Sequence, residues 1–162
     1  MKYFYIALAL LFSLQGHAQG EKNAVTVSGE VASPLTLHAA DLAGMKRITV
    51  SMTNHDGKQQ AYTGVPVKDI LEKAGVTTGK QLRGKNLAKY LLVKCADGYK
   101  VLFSLAELDS DFTDRVVILA DESAGKPLPA DKGPFRLVVP GEKKPARSSF
   151  QVTALVIRSA EE

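Results

Sequence analysis

Residues 133–140 read Gly-Pro-Phe-Arg-Leu-Val-Val-Pro and contain the clearest single strand of the chain. The run Pro134 to Val139 is apolar except at Arg136, and Pro140 stops it because proline cannot donate to a sheet ladder. Two interpretations of Arg136 stay open: a structural salt bridge or hydrogen bond, or a contact to a bound anion. This pattern predicts a strand within a sheet, and the other strands of that sheet must come from the rest of the chain.

The strands on either side follow from alternating or continuous apolar runs. Val116 to Ala120 is continuous and typical of a central strand, and Asp121 to Lys132 is a polar connection. Two hairpins are predicted at Asn54-His55-Asp56-Gly57 and at Asp97-Gly98, because glycine accepts the positive φ of a tight turn. The other predicted strands are residues 25–31, 35–37, 47–53, 59–63, 90–94, 99–103 and 150–157.

Short helices are predicted between the strands. Pro66 suits the first turn of one helix and Gly75 suits its end. Ser104 with Glu107 three residues later forms a capping box that starts another. The segment Gly64-Val65-Pro66 is expected to break the strand that precedes it. The result is a β-rich α+β domain, with helices at 38–43, at 67–74 and after Ser104, and a polar loop at 77–88.

The first 18 residues are predicted to be a signal peptide. Lys2 is followed by an apolar run from Tyr3 to Leu14, and small residues end the segment at Ala18. The run is shorter than the roughly 20 residues that span a bilayer. No twin arginine precedes it, which favours the general secretory route. We expect cleavage near Ala18, one domain over residues 19–162, and a periplasmic or secreted protein; a buried N-terminal helix is the alternative.

Composition excludes several classes of protein. The net charge of +4 is dispersed and has no interleaved aromatic stripe, which argues against a nucleic-acid partner. No second apolar stretch is long enough for a membrane span. The single cysteine, Cys95, allows neither an internal disulfide nor a zinc cluster. We expect Cys95 to be a half-buried strand residue, and His38 and His55 to lie at the surface.

Several segments occur together in an order and spacing that identify a family. They are Val27-Ser28-Gly29-Glu30-Val31 with Pro34-Leu35-Thr36-Leu37, Gly64-Val65-Pro66-Val67 with Ala74-Gly75-Val76, Asp97-Gly98-Tyr99, and Gly125-Lys126-Pro127-Leu128 with residues 133–140. This set resembles the oxidoreductase molybdopterin-binding domain of the sulfite oxidase type over about residues 25–158. The resemblance implies a mixed α+β fold of several small sheets. It also implies a molybdenum held by a pterin dithiolene and one cysteine thiolate, and oxygen-atom transfer as the activity.

The same resemblance indicates candidate cofactor-binding residues. Basic residues that follow the Arg-Leu-Val-Val-Pro motif contact the phosphate region of the pterin in the family, and the matching positions are Lys143, Lys144 and Arg147. Ser148 would add a hydroxyl donor, and Arg136 within the motif completes the set. An arginine fork suits phosphate or carboxylate. A solvated basic surface is the alternative interpretation of the cluster.

The chain departs from the family at the metal ligand. In active members the cysteine lies shortly before the segment that matches Gly64-Val65-Pro66, but residues 47–63 contain none. Counting along the chain places Ser51, Met52 or Thr53 near that position. A thioether is a weaker donor than a thiolate, and a hydroxyl would have to lose a far less acidic proton. We therefore predict no protein ligand for the metal, assign no catalytic residue, and regard a bound molybdopterin as disfavoured. An unfolded secretory passage disfavours it as well.

Two functions follow from these observations. The first is an exported, non-catalytic module that binds a small anionic ligand or a partner protein. The alternative is an active molybdopterin-dependent oxidoreductase with an unusual ligand such as Ser51. A hydrolase is disfavoured because the chain has no Gly-x-Ser-x-Gly, His-Glu-x-x-His or glycine-rich phosphate loop.

Overall fold

A computed structural model describes residues 23–160, so the predicted signal peptide and its cleavage site lie outside the described residues. The strands β1 to β10 of this part are, in chain order, Ala24–Gly29, Leu35–His38, Ile48–Thr53, Gln59–Pro66, Lys89–Cys95, Lys100–Ser104, Ile118–Ser123, Lys126–Pro127, Arg136–Val138 and Val152–Ser159. The helices α1 and α2 are Ala39–Ala43 and Val67–Lys73. Short 3₁₀ turns cover Gly79–Gln81, Gly84–Ala88, Leu105–Leu108 and Pro145–Arg147.

The first sheet has the strand order β2-β1-β10-β5-β6. β1 and β10 are parallel, and the other pairs are antiparallel. β10 is paired on both sides, and its alternate residues Leu155 and Ile157 are fully buried. On β5, Leu91, Val93 and Cys95 face the same large apolar core. The period-2 pattern in the sequence therefore places these strands correctly.

Helix α2 packs into this core. Val67, Ile70 and Leu71 are buried, which is the one-sided spacing of an amphipathic helix. Pro66 precedes its first turn, and Gly75 follows its end with φ of 73°. The predicted helix is confirmed to within a residue.

The second sheet has the order β3-β4-β7-β8, with β9 also on β7, and all its pairs are antiparallel. It has apolar residues on both faces. Leu119 and Leu137 on one face join the large core. The other face carries a smaller buried cluster, consisting of Met52, Tyr62, Ile118, Ala120 and Val138. β7 is a central strand as predicted, because it is flanked by β4 and by β9.

Three sequence-based expectations need correction. β4 continues through Gly64 to Pro66, so the predicted break there is wrong. A Cβ at Gly64 would lie 2.1 Å from the carbonyl oxygen of Leu119, so this glycine permits close pairing with β7. β7 itself runs on to Ser123 and pairs with β8, which replaces part of the predicted polar connection. The predicted polar loop at 77–88 contains two 3₁₀ turns and buries Leu82.

Other local predictions are confirmed. The two hairpins turn at the predicted residues, and Ser104 and Glu107 form the capping box. Mixed sheets with few short helices confirm the α+β class. Within residues 23–160, no helix is long and apolar enough to cross a membrane.

Candidate functional site

A cavity of about 200 Å³ lies between β3 and the segment that follows β9. Consecutive side chains of a strand point to opposite faces of the sheet. Ser51 and Thr53 share one face of the sheet, and Gln59 is paired with Thr53 from β4, so the cavity lies at the end of the β3–β4 hairpin. The cavity brings the positions where the family cysteine was expected against the loop that carries the candidate basic residues. Its walls are Ser51, Met52, Thr53 and Gln59 on one side and Val139, Gly141, Glu142, Lys143 and Pro145 on the other.

Two of the candidate basic residues are exposed cations in the loop beside this cavity. Lys143 lines it, Lys144 follows in the chain, and both side chains are exposed. Neither forms an ion pair within the part of the chain that the structure describes. These two lysines remain the predicted anion-binding residues, and the structure places one of them in the cavity wall.

Arg147 makes ion pairs within the protein. Its Nε donates to Glu142 Oε1 at 2.8 Å and its Nη1 donates to Glu107 Oε1 at 3.0 Å. Arg115 approaches the same two carboxylates at 3.7 and 3.6 Å. The guanidinium of Arg147 also lies 4.4 Å from the centre of the Phe103 ring. Burial acts to lower the pKa of Arg147, but its bonds to the two glutamates outweigh burial and raise it.

Two arginines and two glutamates therefore form a charge-balanced network beside the cavity. Most donors of Arg147 are already used, so its guanidinium positions the loop and Glu142 and presents little free charge to a ligand. Ser148 also helps to position this loop. It is 3% exposed, and its Oγ accepts a 2.9 Å hydrogen bond from the Val139 N–H.

Arg136 lies inside the second sheet and does not line the cavity. It is 2% exposed, and its guanidinium lies 4.6 Å from the Tyr62 ring centre and 4.2 Å from that of Phe150. Its Nη1 donates to the Tyr62 hydroxyl and, at 3.4 Å, to Asn54 Oδ1, while its Nε has no hydrogen-bond partner. Burial lowers the pKa of Arg136, and the contact with Tyr62 offsets this only in part. Among the described residues no carboxylate pairs with it, so the structure favours the hydrogen-bonded interpretation over the salt bridge.

Cys95 lies in β5 of the other sheet, within the large core. Burial is the main cause that raises the pKa of its thiol. It is therefore a neutral buried thiol, as expected of a structural cysteine. It does not line the cavity at Ser51 to Thr53.

The residues present do not fit a molybdenum cofactor. The cavity offers two hydroxyls and the thioether of Met52, and none of these is a soft anionic donor. Its volume of about 200 Å³ is also below the roughly 300–1,000 Å³ of typical small-molecule pockets. Within residues 23–160, no three His, Cys, Asp or Glu side chains form a group that could hold a metal ion, and His38 and His55 are exposed as predicted.

Sequence reasoning missed a buried carboxylate, Asp109, which is 1% exposed. It accepts backbone hydrogen bonds from Gly79 and Asp111 and pairs with Lys68 Nζ at 3.3 Å. Lys68 also lines a second cavity of about 410 Å³, beside α2. Two of its partners, Gly79 and Lys68, are distant in the chain, so no local pattern marked Asp109 as a buried charge. The Asn54 and Tyr62 contacts to Arg136 were missed for the same reason.

Two small sheets with few short helices are the architecture of the sulfite-oxidase-type molybdopterin-binding fold. A family model of the oxidoreductase molybdopterin-binding domain matches residues 14–148, and the chain belongs to this family. The match includes residues at the end of the predicted signal peptide.

The comparison with solved structures supports the same fold. The crystal structure of the sulfane dehydrogenase SoxCD from Paracoccus pantotrophus is similar, with a TM-score of 0.66 and 22% sequence identity. The similarity covers 87% of this chain and 40% of that one, so this chain spans less than half the length of that protein. No curated protein matches the sequence.

Proposed function

We propose that this chain is an exported, non-catalytic member of the family that binds a small anionic group or a partner protein at the cavity beside β3. The observation that carries the proposal is the position of the only thiol. Cys95 is buried in the core of the first sheet, whereas the cavity wall has Ser51, Met52 and Thr53.

The charges at the cavity support an anionic ligand. Glu142 is matched by Arg147 and Arg115, so its negative charge is neutralised within the protein. Lys143 and Lys144 then leave a local excess of positive charge at an exposed position. An unmatched lysine pair attracts carboxylate or phosphate groups without requiring a metal.

Metal analysis tests the non-catalytic part. The full chain is produced with its N-terminal segment in a host that makes molybdopterin, and molybdenum and pterin are measured in the purified protein. A cysteine-bearing member of the family, produced in parallel, is the positive control. We expect stoichiometric metal in the control and only traces here; one molybdenum and one pterin per chain would overturn the proposal.

Export is proposed from the N-terminal sequence alone. Residues 1–18 have the charged, apolar and cleavage-site order of a secretory signal. Fractionation of the producing cells, with mass spectrometry of the mature N-terminus, checks it. A new N-terminus near Gln19 in the exported fraction is expected, and an uncleaved chain retained in the cytoplasm contradicts it.

The second candidate function is an active oxidoreductase that uses Ser51 as the metal ligand. The position of Ser51, exposed and in the cavity wall, favours this candidate. It predicts that Ser51→Ala loses bound molybdenum, whereas Thr49→Ala, on the same face of β3 but outside the cavity wall, keeps it. Equal metal content in the two variants rules out this ligand.

A further inference from the structure

The outer edge of β3 has unpaired backbone groups. Asn54 donates its N–H to the Lys58 carbonyl at 2.9 Å, which fixes the alternation of the antiparallel ladder with β4. In such a ladder every second residue directs its N–H and C=O away from the partner strand. In β3 these outward residues are Thr49, Ser51 and Thr53. Their backbone groups make no hydrogen bond to another described residue.

The edge of β6 in the first sheet is protected in a way that the β3 edge is not. The Leu102 carbonyl accepts from Arg147 Nη1 at 3.3 Å, and the Ser104 N–H donates to Glu107 at 3.0 Å. Lys100 adds a charge to the same strand. Proteins use charges, prolines, bulges or covering side chains to prevent further strands from pairing at an edge. β3 has no charged residue, no proline and no register shift in its pairing.

The charges at the two ends of β3 favour a strand of another protein over a second copy of the chain. The slot is the space along the outer edge of β3, and its end at Ser51 and Thr53 borders the cavity. If β3 of a second copy entered the slot as an antiparallel strand, the Lys143 end of one copy would lie beside the Lys46 end of the other, and the like charges would repel.

The side chains around the slot define the chemistry of the strand that fits. Ile48 and Val50 are half-buried on the inner face of β3, next to the small apolar cluster. Thr49 is exposed on the outer face. The exposed cations Lys46 and Lys143 lie near the two ends of the strand. A matching segment alternates apolar and polar residues and carries carboxylates at its ends.

We propose that the β3 edge binds an extended, acidic-ended peptide segment of another protein, which pairs with the backbone of Ser51 and Thr53 as an added strand. The proposal rests on the proposed function, since it requires a slot free of cofactor, and it names the class of ligand. Strand addition draws its affinity from main-chain hydrogen bonds and its specificity from alternate side chains.

The probe is a synthetic peptide, acetyl-Glu-Val-Thr-Val-Thr-Val-Glu-amide, added to ¹⁵N-labelled protein. We expect chemical-shift changes and slower amide exchange at Ser51 and Thr53, and unchanged shifts at Lys100 and Leu102 on the β6 edge. Unchanged amides at Ser51 and Thr53 under saturating peptide would overturn the proposal. A dimer in light scattering whose β3 amides are already protected would overturn it too, because the second copy would then be the occupant.

Chemical and protein variants test the mode of binding. A peptide that is N-methylated at the residues facing β3 should bind about tenfold more weakly, whereas methylation at the alternate residues should have little effect. Equal binding of the two methylated peptides contradicts strand addition. Because this comparison needs no change in the protein, it decides the question even if a protein variant fails to fold.

In the protein, Ser51→Pro removes one outward N–H, which an edge strand tolerates. It should weaken binding by a similar factor, whereas Lys100→Pro on the β6 edge should bind as the unaltered chain does. Equal weakening in both variants contradicts the proposal. Molybdenum and pterin are measured in the same samples. Cofactor in the slot would overturn the proposed function, whereas a metal-free protein that ignores the peptide would overturn only this inference.

Discussion

The two sheets bury different kinds of side chain. The core of the first sheet is apolar, with Phe103 and Leu155 fully buried, and the neutral thiol of Cys95 belongs to it. On the face of the second sheet that does not join the large core, a smaller apolar cluster borders the guanidinium of Arg136, which contacts two aromatic rings and the hydroxyl of Tyr62.

This difference implies that one part of the molecule provides most of the stability and another part forms the site. Apolar burial is nondirectional and scales with area, so the large core can stabilise the fold without fixing any particular group. Buried polar groups must be paired, so the second sheet holds specific geometry at some cost. The cavity lies on the second sheet, at β3 and the loop after β9. Truncations in the large core should therefore unfold the chain, and changes on the Met52 face of the second sheet should affect the site more than the fold.

The largest expected effect is that of Leu155→Ala in the first sheet. Leu155 is fully buried at the centre of its sheet, and truncation leaves a cavity that costs about 3 kcal/mol. Met52→Ala, at 4% exposure in the smaller cluster, should cost about 2 kcal/mol because fewer buried side chains surround it. Urea unfolding followed by circular dichroism measures both. A larger loss at Met52 than at Leu155 would reverse the assignment of stability to the first sheet.

The polar pairing of the second sheet is tested by Tyr62→Phe. The Tyr62 hydroxyl accepts from Arg136 and donates to Asn54 Oδ1 at 3.0 Å. Its removal takes a partner from a buried cation and should cost about 2 kcal/mol. Arg136→Met removes the charge itself and leaves the Tyr62–Asn54 bond, so we expect a loss below about 1 kcal/mol. Thermal unfolding of both variants and of the double variant gives the coupling; a costlier Arg136→Met would show that the cation stabilises the sheet.

Asp109 is a second buried charge and follows β6 of the first sheet and the 3₁₀ turn Leu105–Leu108. Burial alone would raise the pKa of its carboxyl, but the hydrogen bonds from Asp111 and Gly79, together with Lys68, lower it overall. A carboxyl with a lowered folded-state pKa stabilises above the usual aspartate pKa of about 3.9, and this stabilisation is lost as the pH falls through the folded value.

Asp109→Asn should therefore be about 1.5 kcal/mol less stable than the unaltered chain at pH 7, and the gap should narrow towards pH 3. Urea midpoints at the two pH values measure it. Asp111→Asn is the control, since Asp111 is exposed and contributes only its backbone N–H. A gap that stays constant with pH would mean that the Asp109 carboxyl is not charged in the folded state.

The sequence predicts those parts of the fold that depend on local patterns. The hairpin at Asn54–Gly57, helix α2 and the capping box at Ser104 each follow from residues a few positions apart, and all three are confirmed. The prediction that the strand breaks at Gly64 was wrong because Gly64 allows close pairing with the Leu119 carbonyl, which only the folded sheet brings near. Local patterning could not supply that contact.

The candidate site was predicted in part. Counting from a motif placed Ser51 to Thr53 and Lys143 in the same site, and the structure brings both to one cavity. The contacts of Arg147 with Glu107 and of Arg136 with Tyr62 could not be predicted, since the partners are 40 and 74 residues away in the chain. From the sequence alone, a charged residue that a distant partner neutralises looks the same as one that is free to bind a ligand.

The smallest effect is expected at Arg147, and it bears on how the loop of the site is held. Arg147→Met breaks the pairs to Glu142 and Glu107 but retains an apolar contact on Phe103. Such half-exposed pairs contribute below about 1 kcal/mol and weaken with salt. Thermal unfolding at low and high salt should show a small loss that shrinks at high salt. Lys144→Met, which breaks no ion pair, should show neither a loss of stability nor a salt dependence.

The larger consequence of Arg147→Met is local: with Glu142 released, amide exchange of residues 141–145 should become faster while that of β10 does not change. If exchange in the loop stays the same, the Arg147 network does not fix the loop that forms one wall of the cavity. The distinction between a stable first sheet and an adjustable site would then not apply to that loop.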